Sequence, residues 1–156
     1  MAVQTATGTD AFSLLDDAVF RRGWERLQND CFWATAFQRF DFANAWYYAY
    51  RERFDPVIIF ERDNICELTG LLALAVQKRS GGLVVAGDHQ AEYQVWLDRA
   101  GVDDAFIEGA LAQCRRRFPG RTLSFQYLPP GAPTGWTEPG RPWSSLCSKT
   151  IQGLRS

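Results

Sequence analysis

Apolar positions along the chain recur with two different periods, and the change from one to the other marks its organisation. Val19, Phe20, Trp24, Leu27 and Cys31 follow each other at helical spacings and predict an amphipathic helix. Ahead of them, Phe12-Ser13-Leu14-Leu15 followed by Asp16-Asp17 predicts a brief strand over 11–16 that runs into the start of that helix. Residues 32–38 form a linker. A second helix is expected from Asp41, a suitable cap, with Phe42, Ala45, Trp46, Ala49 and Tyr50 on one face. It should end near Arg53-Phe54, because Asp55-Pro56 disfavours its continuation.

After Pro56 the helical period is lost. Val57-Ile58-Ile59-Phe60 is apolar and rich in β-branched residues, the pattern of a buried strand. A polar turn at Arg62-Asp63-Asn64 and a long apolar run from Cys66 to Gln77 complete a hairpin. Gly81-Gly82 turns the chain into a third strand, Leu83–Ala86. The polar stretch 87–93 reads as a loop and Val95–Leu97 as a further strand. Asp103-Asp104 opens a third helix with Phe106, Ile107, Ala110, Leu111 and Cys114 inward. Arg115-Arg116-Arg117 complements its C-terminal dipole, and Pro119-Gly120 stops it. Thr122 to Leu128 alternates as a strand does. The expected fold is therefore mixed α/β (α+β), a mainly antiparallel sheet flanked by helices.

Composition adds a boundary. Five of the seven prolines and four of the thirteen glycines lie beyond Leu128, where Trp136, Trp143, Leu146, Ile151 and Leu154 show no sustained period. This divides the chain into a folded part over 11–128 and an irregular tail over 129–156 that adds little core. With 156 residues, 46% hydrophobic and 14% aromatic, one domain is the expectation and disorder is excluded for most of its length.

Seventeen basic residues against 18 acidic leave a formal charge of -1, which argues against nucleic-acid binding driven by counterion release and against a polybasic membrane surface. The longest apolar run, Gly70–Val76, is far short of the roughly 20 residues a membrane span needs. The first ten residues show neither a basic nor an apolar signal region, so the expected location is cytoplasmic. Cys31, Cys66, Cys114 and Cys147 form no C-x-x-C pair and His89 is the sole histidine, so no metal site is expected and ordinary reduced thiols are the better reading.

The order of elements, together with Phe37-Gln38, Trp46, Asp55-Pro56-Val57-Ile58, Gly70-Leu71-Leu72-Ala73-Leu74, Gly87 and Glu92-Tyr93, resembles the N-terminal half of GNAT acetyltransferases of the CelD/BcsL, cellulose-biosynthesis type. Ala73 stands where that group usually has proline, and Glu92 where it has aspartate. The resemblance covers roughly residues 11–128. It implies a GNAT-like sheet incomplete at its C-terminus, acetyl-CoA or another acyl-CoA as donor, and a small-molecule or saccharide acceptor that attacks the thioester directly. Members of the group are about twice as long and bind the donor with their second half, so a second half-domain or a second copy is the implied partner.

A GNAT pyrophosphate loop precedes a helix, where free backbone amides bind anions. The nearest string here, Arg117-Phe118-Pro119-Gly120-Arg121-Thr122, follows one, and no cofactor site is evident in the chain. The resemblance puts Glu92 forward as general base, with Tyr93 as acid or positioning group; a solvated glutamate beside a packing tyrosine is the plainer alternative. His89 could bind substrate or relay protons, or be a loop residue without a role. Trp46 and Tyr50 could stack on a sugar, although rings at helical spacing are more often core. Two functions stay open: the non-CoA-binding half of an acyltransferase, or a non-catalytic binding module that works through a partner chain.

Overall fold

The computed structural model describes residues 2–99, 103–142 and 147–149. Its first element is a strand, β1 (Gln4–Thr7), whose half-polar sequence carries no apolar alternation. The strand expected over 11–16 is instead the body of a helix, α1 (Gly8–Asp16): Ala11 and Leu15, four residues apart, are its buried face. Asp17 then caps α2 (Ala18–Asp30), its carboxylate accepting from the Val19 amide at 2.8 Å. Phe20, Trp24, Leu27 and the capping Cys31 are buried as their spacing predicts. Val19 is not: it sits one residue off the stripe and is 66% exposed.

Within the linker, Thr35 and Gln38 form a capping box around a 3₁₀ turn at Ala36–Gln38. The next helix, α3 (Phe40–Ala49), starts one residue before Asp41, which hydrogen-bonds the Phe42 amide and pairs with Arg39. Its buried face is Phe40, Ala43, Trp46 and Tyr47, whereas Ala45 and Ala49 are exposed. The expected face was turned by about one residue, because Phe40 rather than the two alanines fills the space against α2: its ring lies edge-on to Trp24 at 5.5 Å.

The hairpin is as its pattern foretells. Strands β2 (Phe54–Arg62) and β3 (Leu68–Gln77) pair antiparallel, with Phe60 opposite Leu71 and Val57 opposite Leu74. Val57 to Phe60 are all buried, so this part of the sheet is covered on both faces. β1 lies on the outer side of β2. On the other side of β3 lie two short strands in succession: β4 (Leu83–Val85) against Leu74–Val76, and β5 (Leu97–Asp98) against Gly70 and Leu71. The result is an open five-stranded antiparallel sheet flanked by helices, a mixed α+β fold.

All five predicted inward residues of α4 (Ala105–Arg117) are buried. Its Phe106 ring rests directly on the backbone of Gly70, where a Cβ would lie 2.6 Å from the ring Cγ. Gly70→Ala is therefore expected to cost about 1–3 kcal/mol through overpacking, readable as a lower urea midpoint with an unchanged slope.

Beyond α4, β6 (Leu123–Phe125) pairs in parallel with β7 (Cys147–Lys149), a strand within the segment expected to be irregular. That segment also supplies core. Trp136 is 1% exposed, its ring 5.7 Å from both Trp96 and Phe125. The readings of Trp143, Leu146, Ile151 and Leu154 lie outside the described residues. Among the described residues no helix is long and apolar enough to cross a membrane.

Candidate functional site

β4 and β5 run along the same side of β3, yet ten residues of chain separate Ala86 from Leu97. The Ala86 amide bonds to Ala73 at 2.9 Å, and Leu97 rejoins opposite Leu71. Where a plain edge strand would continue past Ala73, the chain instead makes an excursion with closely spaced ends, the kind of loop on which functional groups are often carried. It contains His89, Glu92 and Tyr93. At its base the space lined by Gln38, Ala86, Val95 and Leu97 is only about 10 Å³, room for about one water, so a ligand has to use the outer side.

The excursion begins with a turn that requires glycine. Gly87 has φ +98°, and a Cβ there would lie 2.6 Å from that of Ala91 and 2.9 Å from the Phe42 ring. Asp88 follows at φ +41°, also left-handed, which aspartate tolerates better than most residues. A 3₁₀ turn over Asp88–Gln90 is closed by the Gln90 amide donating to the Gly87 carbonyl at 2.8 Å.

Three glutamine side chains hold this turn in place. Gln38 donates to the Tyr93 carbonyl at 3.0 Å while its own oxygen accepts from the amide and hydroxyl of Thr35. Gln90 accepts from the Trp46 indole at 3.1 Å and donates to the Tyr50 hydroxyl at 3.2 Å. Gln94, 2% exposed, donates to the Asp88 carbonyl at 3.0 Å and accepts from the Gln126 amide at 2.9 Å. Its backbone amide bonds in turn to the Gln126 carbonyl, so the excursion is tied to the chain just after β6. Nothing in the sequence marks Gln90 or Gln94; an amide's two-sided bonding is visible only once its partners are placed.

The predicted residues occupy unequal positions. Trp46 is 5% exposed, packed 5.0 Å from Phe54 and 5.5 Å from Tyr50, so its ring is not a free stacking surface; it anchors Gln90 instead. Tyr50 is half-buried at the edge of that aromatic group. The neighbouring Tyr47 is buried, donates to the Leu74 carbonyl at 2.7 Å, and has its phenol pushed far above its ordinary range by desolvation. The His89 side chain is 81% exposed, with Nε2 3.8 Å from the Asp88 carboxylate. Glu92 is exposed and Tyr93 half-buried.

Thus the structure joins Trp46, Tyr50 and the excursion through Gln90, and sets His89 beside Asp88. Arg115, Arg116 and Arg117 lie apart, exposed at the end of α4, with Arg116 bonded to Gln113. Among the described residues no cluster of three or more His, Cys, Asp or Glu is placed to hold a metal ion, and Cys31 and Cys66 are free thiols.

Comparison with models of protein families, with curated proteins and with solved structures finds no match for this chain.

Proposed function

We propose that the chain binds and orients a sugar or amino acceptor as one half of a GNAT-like acyltransferase of the CelD/BcsL type. The observation that carries this reading is the pinned excursion. Residues 88–93 are fixed at both ends by the buried Gln38 and Gln94, and the strained, left-handed Asp88 opens them directly after the left-handed Gly87. Such local strain persists only where the surroundings enforce it, and it gathers at binding and catalytic positions. In this reading Glu92 takes the proton from the acceptor's hydroxyl or ammonium group and Tyr93 positions it. His89, beside Asp88, and Tyr50 contact the acceptor, and Trp46 acts through Gln90.

The stretch nearest in sequence to a pyrophosphate loop does not fit an acyl-CoA pyrophosphate. Arg117 to Thr122 follows the C-terminal end of α4, where the helix dipole repels anions, and Pro119 lacks a donor amide. The donor therefore has to be held by a second half-domain or a second copy. The same observation favours the second reading, a binding module that acts through a partner without catalysis.

Two measurements test the reading. Calorimetry with acetyl-CoA is expected to show no micromolar binding to the chain alone; micromolar binding would overturn the assignment of the donor to another half. Amide NMR during titration with glucosamine and small primary amines is expected to show saturable shifts centred on residues 88–93. Shifts confined elsewhere, or none with any probe, would sink the acceptor role and leave the binding module.

A further inference from the structure

A groove lies away from the excursion, between α2 and the β2–β3 turn. It encloses about 400 Å³, within the range of small-molecule sites. Four guanidinium groups line it: Arg22, Arg26, Arg62 and Arg99. The nearby carboxylates are already engaged. Glu67 pairs with Arg26 and, at 3.0 Å, with Arg99; Asp63 lies 3.8 Å from Arg99; Asp17 caps α2. Arg22 and Arg62 have no carboxylate partner among the described residues.

Arg62 lies over two aromatic rings instead. Its guanidinium carbon lies 5.3 Å from the centre of the Phe60 ring and 5.8 Å from that of Phe20. Contacts of this kind hold a guanidinium in place without neutralising its charge. The Nε atoms of Arg62 and Arg99 are both buried without an acceptor. A second groove on α2, about 330 Å³, gives the contrast: there Arg21 pairs with Glu25 and Arg39 with Asp41, both at 2.9 Å, so each arginine is neutralised. At the rim of the first groove Val19 and Ile65 are left exposed.

We propose that this groove is a binding site for the phosphoryl group of a small phosphorylated ligand, with Arg22 and Arg62 as its anion contacts and Val19 and Ile65 covering the ligand's apolar part. A guanidinium fork suits phosphate oxygens, and the engaged Arg26–Glu67–Arg99 set holds the wall rigid. The site uses no residue of the 88–93 excursion, so either proposal can fall without the other.

The test is an NMR titration with inorganic phosphate at constant ionic strength, with chloride as control. The expected result is a saturable shift of the Arg62 Nε–H resonance and of amides in 19–26 and 62–68. Arg22→Gln, at an exposed helix position, and Arg62→Gln should each weaken binding by about tenfold, as loss of a charge-assisted contact does. Arg39→Gln in the second groove should leave it unchanged. No saturable shift beyond that with chloride, or equal affinity in Arg22→Gln and wild type, would overturn the site. Competition by glycerol 3-phosphate would assign a soluble ligand. Sedimentation of the wild type, but not of Arg22→Gln, with phosphatidic acid vesicles would assign a lipid headgroup.

Discussion

Trp136→Ala is expected to lower the stability of the fold by about 3–5 kcal/mol, the cost typical of removing a buried indole. The residue lies in a stretch of chain dominated by proline and glycine, yet it closes one end of the core. Its ring meets Trp96 and Phe125 edge-on, and Trp96 continues the cluster to Trp33 at 6.1 Å. Its indole nitrogen donates to the Pro133 carbonyl at 3.0 Å, so the ring is also the clasp of its own turn. Truncation would remove the ring's contacts and leave a void lined by aromatics that cannot easily collapse. Trp136→Phe should recover much of the loss, since a smaller ring still fills part of the site. Urea unfolding of the three proteins measures this; a change under about 0.5 kcal/mol for Trp136→Ala, the range of ordinary surface substitutions, would show that the ring is peripheral.

What the sequence reveals follows from how many residues share one signal. In α4 five apolar residues repeat at helical spacing, and in β2 four consecutive apolar residues are buried together, so each element is overdetermined. In α3 the signal is ambiguous, because small alanines and large rings both count as apolar while only Phe40, Ala43, Trp46 and Tyr47 are taken into the core. β1 gives no signal at all: Gln4-Thr5-Ala6-Thr7 becomes a strand because the apolar edge of β2 offers it hydrogen bonds. Trp136 is illegible for a different reason. A single ring among turn residues has no period, and its burial depends on Trp96 and Phe125, far away in sequence. The candidate site divides in the same way. Trp46, Tyr50 and His89 are conspicuous by residue type, whereas Gln94 is fixed only by long-range backbone partners.

Gln94→Leu puts that last point to the test. The substitution keeps the volume of the side chain but deprives the Gln126 amide of its acceptor and the Asp88 carbonyl of one of its two donors, the Ala91 amide at 3.2 Å being the other, at a position that is 2% exposed. A buried group left unsatisfied costs about 1–3 kcal/mol, so loss of the Gln126 amide's acceptor should cost about that much. Asp88 is held in a left-handed conformation, and losing the side-chain donor to its carbonyl weakens the hold on that strained residue. The excursion should therefore loosen before the sheet does. Hydrogen exchange at residues 88–93 is expected to accelerate more than exchange in β2 and β3. Gln94→Glu should loosen the excursion at least as much, because its carboxylate can accept from the Gln126 amide but meets the Asp88 carbonyl with no proton to donate and carries the cost of a buried charge. If binding by the excursion depends on its being pinned, the glucosamine shifts weaken in both variants relative to wild type. Uniform acceleration of exchange throughout the sheet and excursion would instead make Gln94 a general core residue with no particular hold on the site.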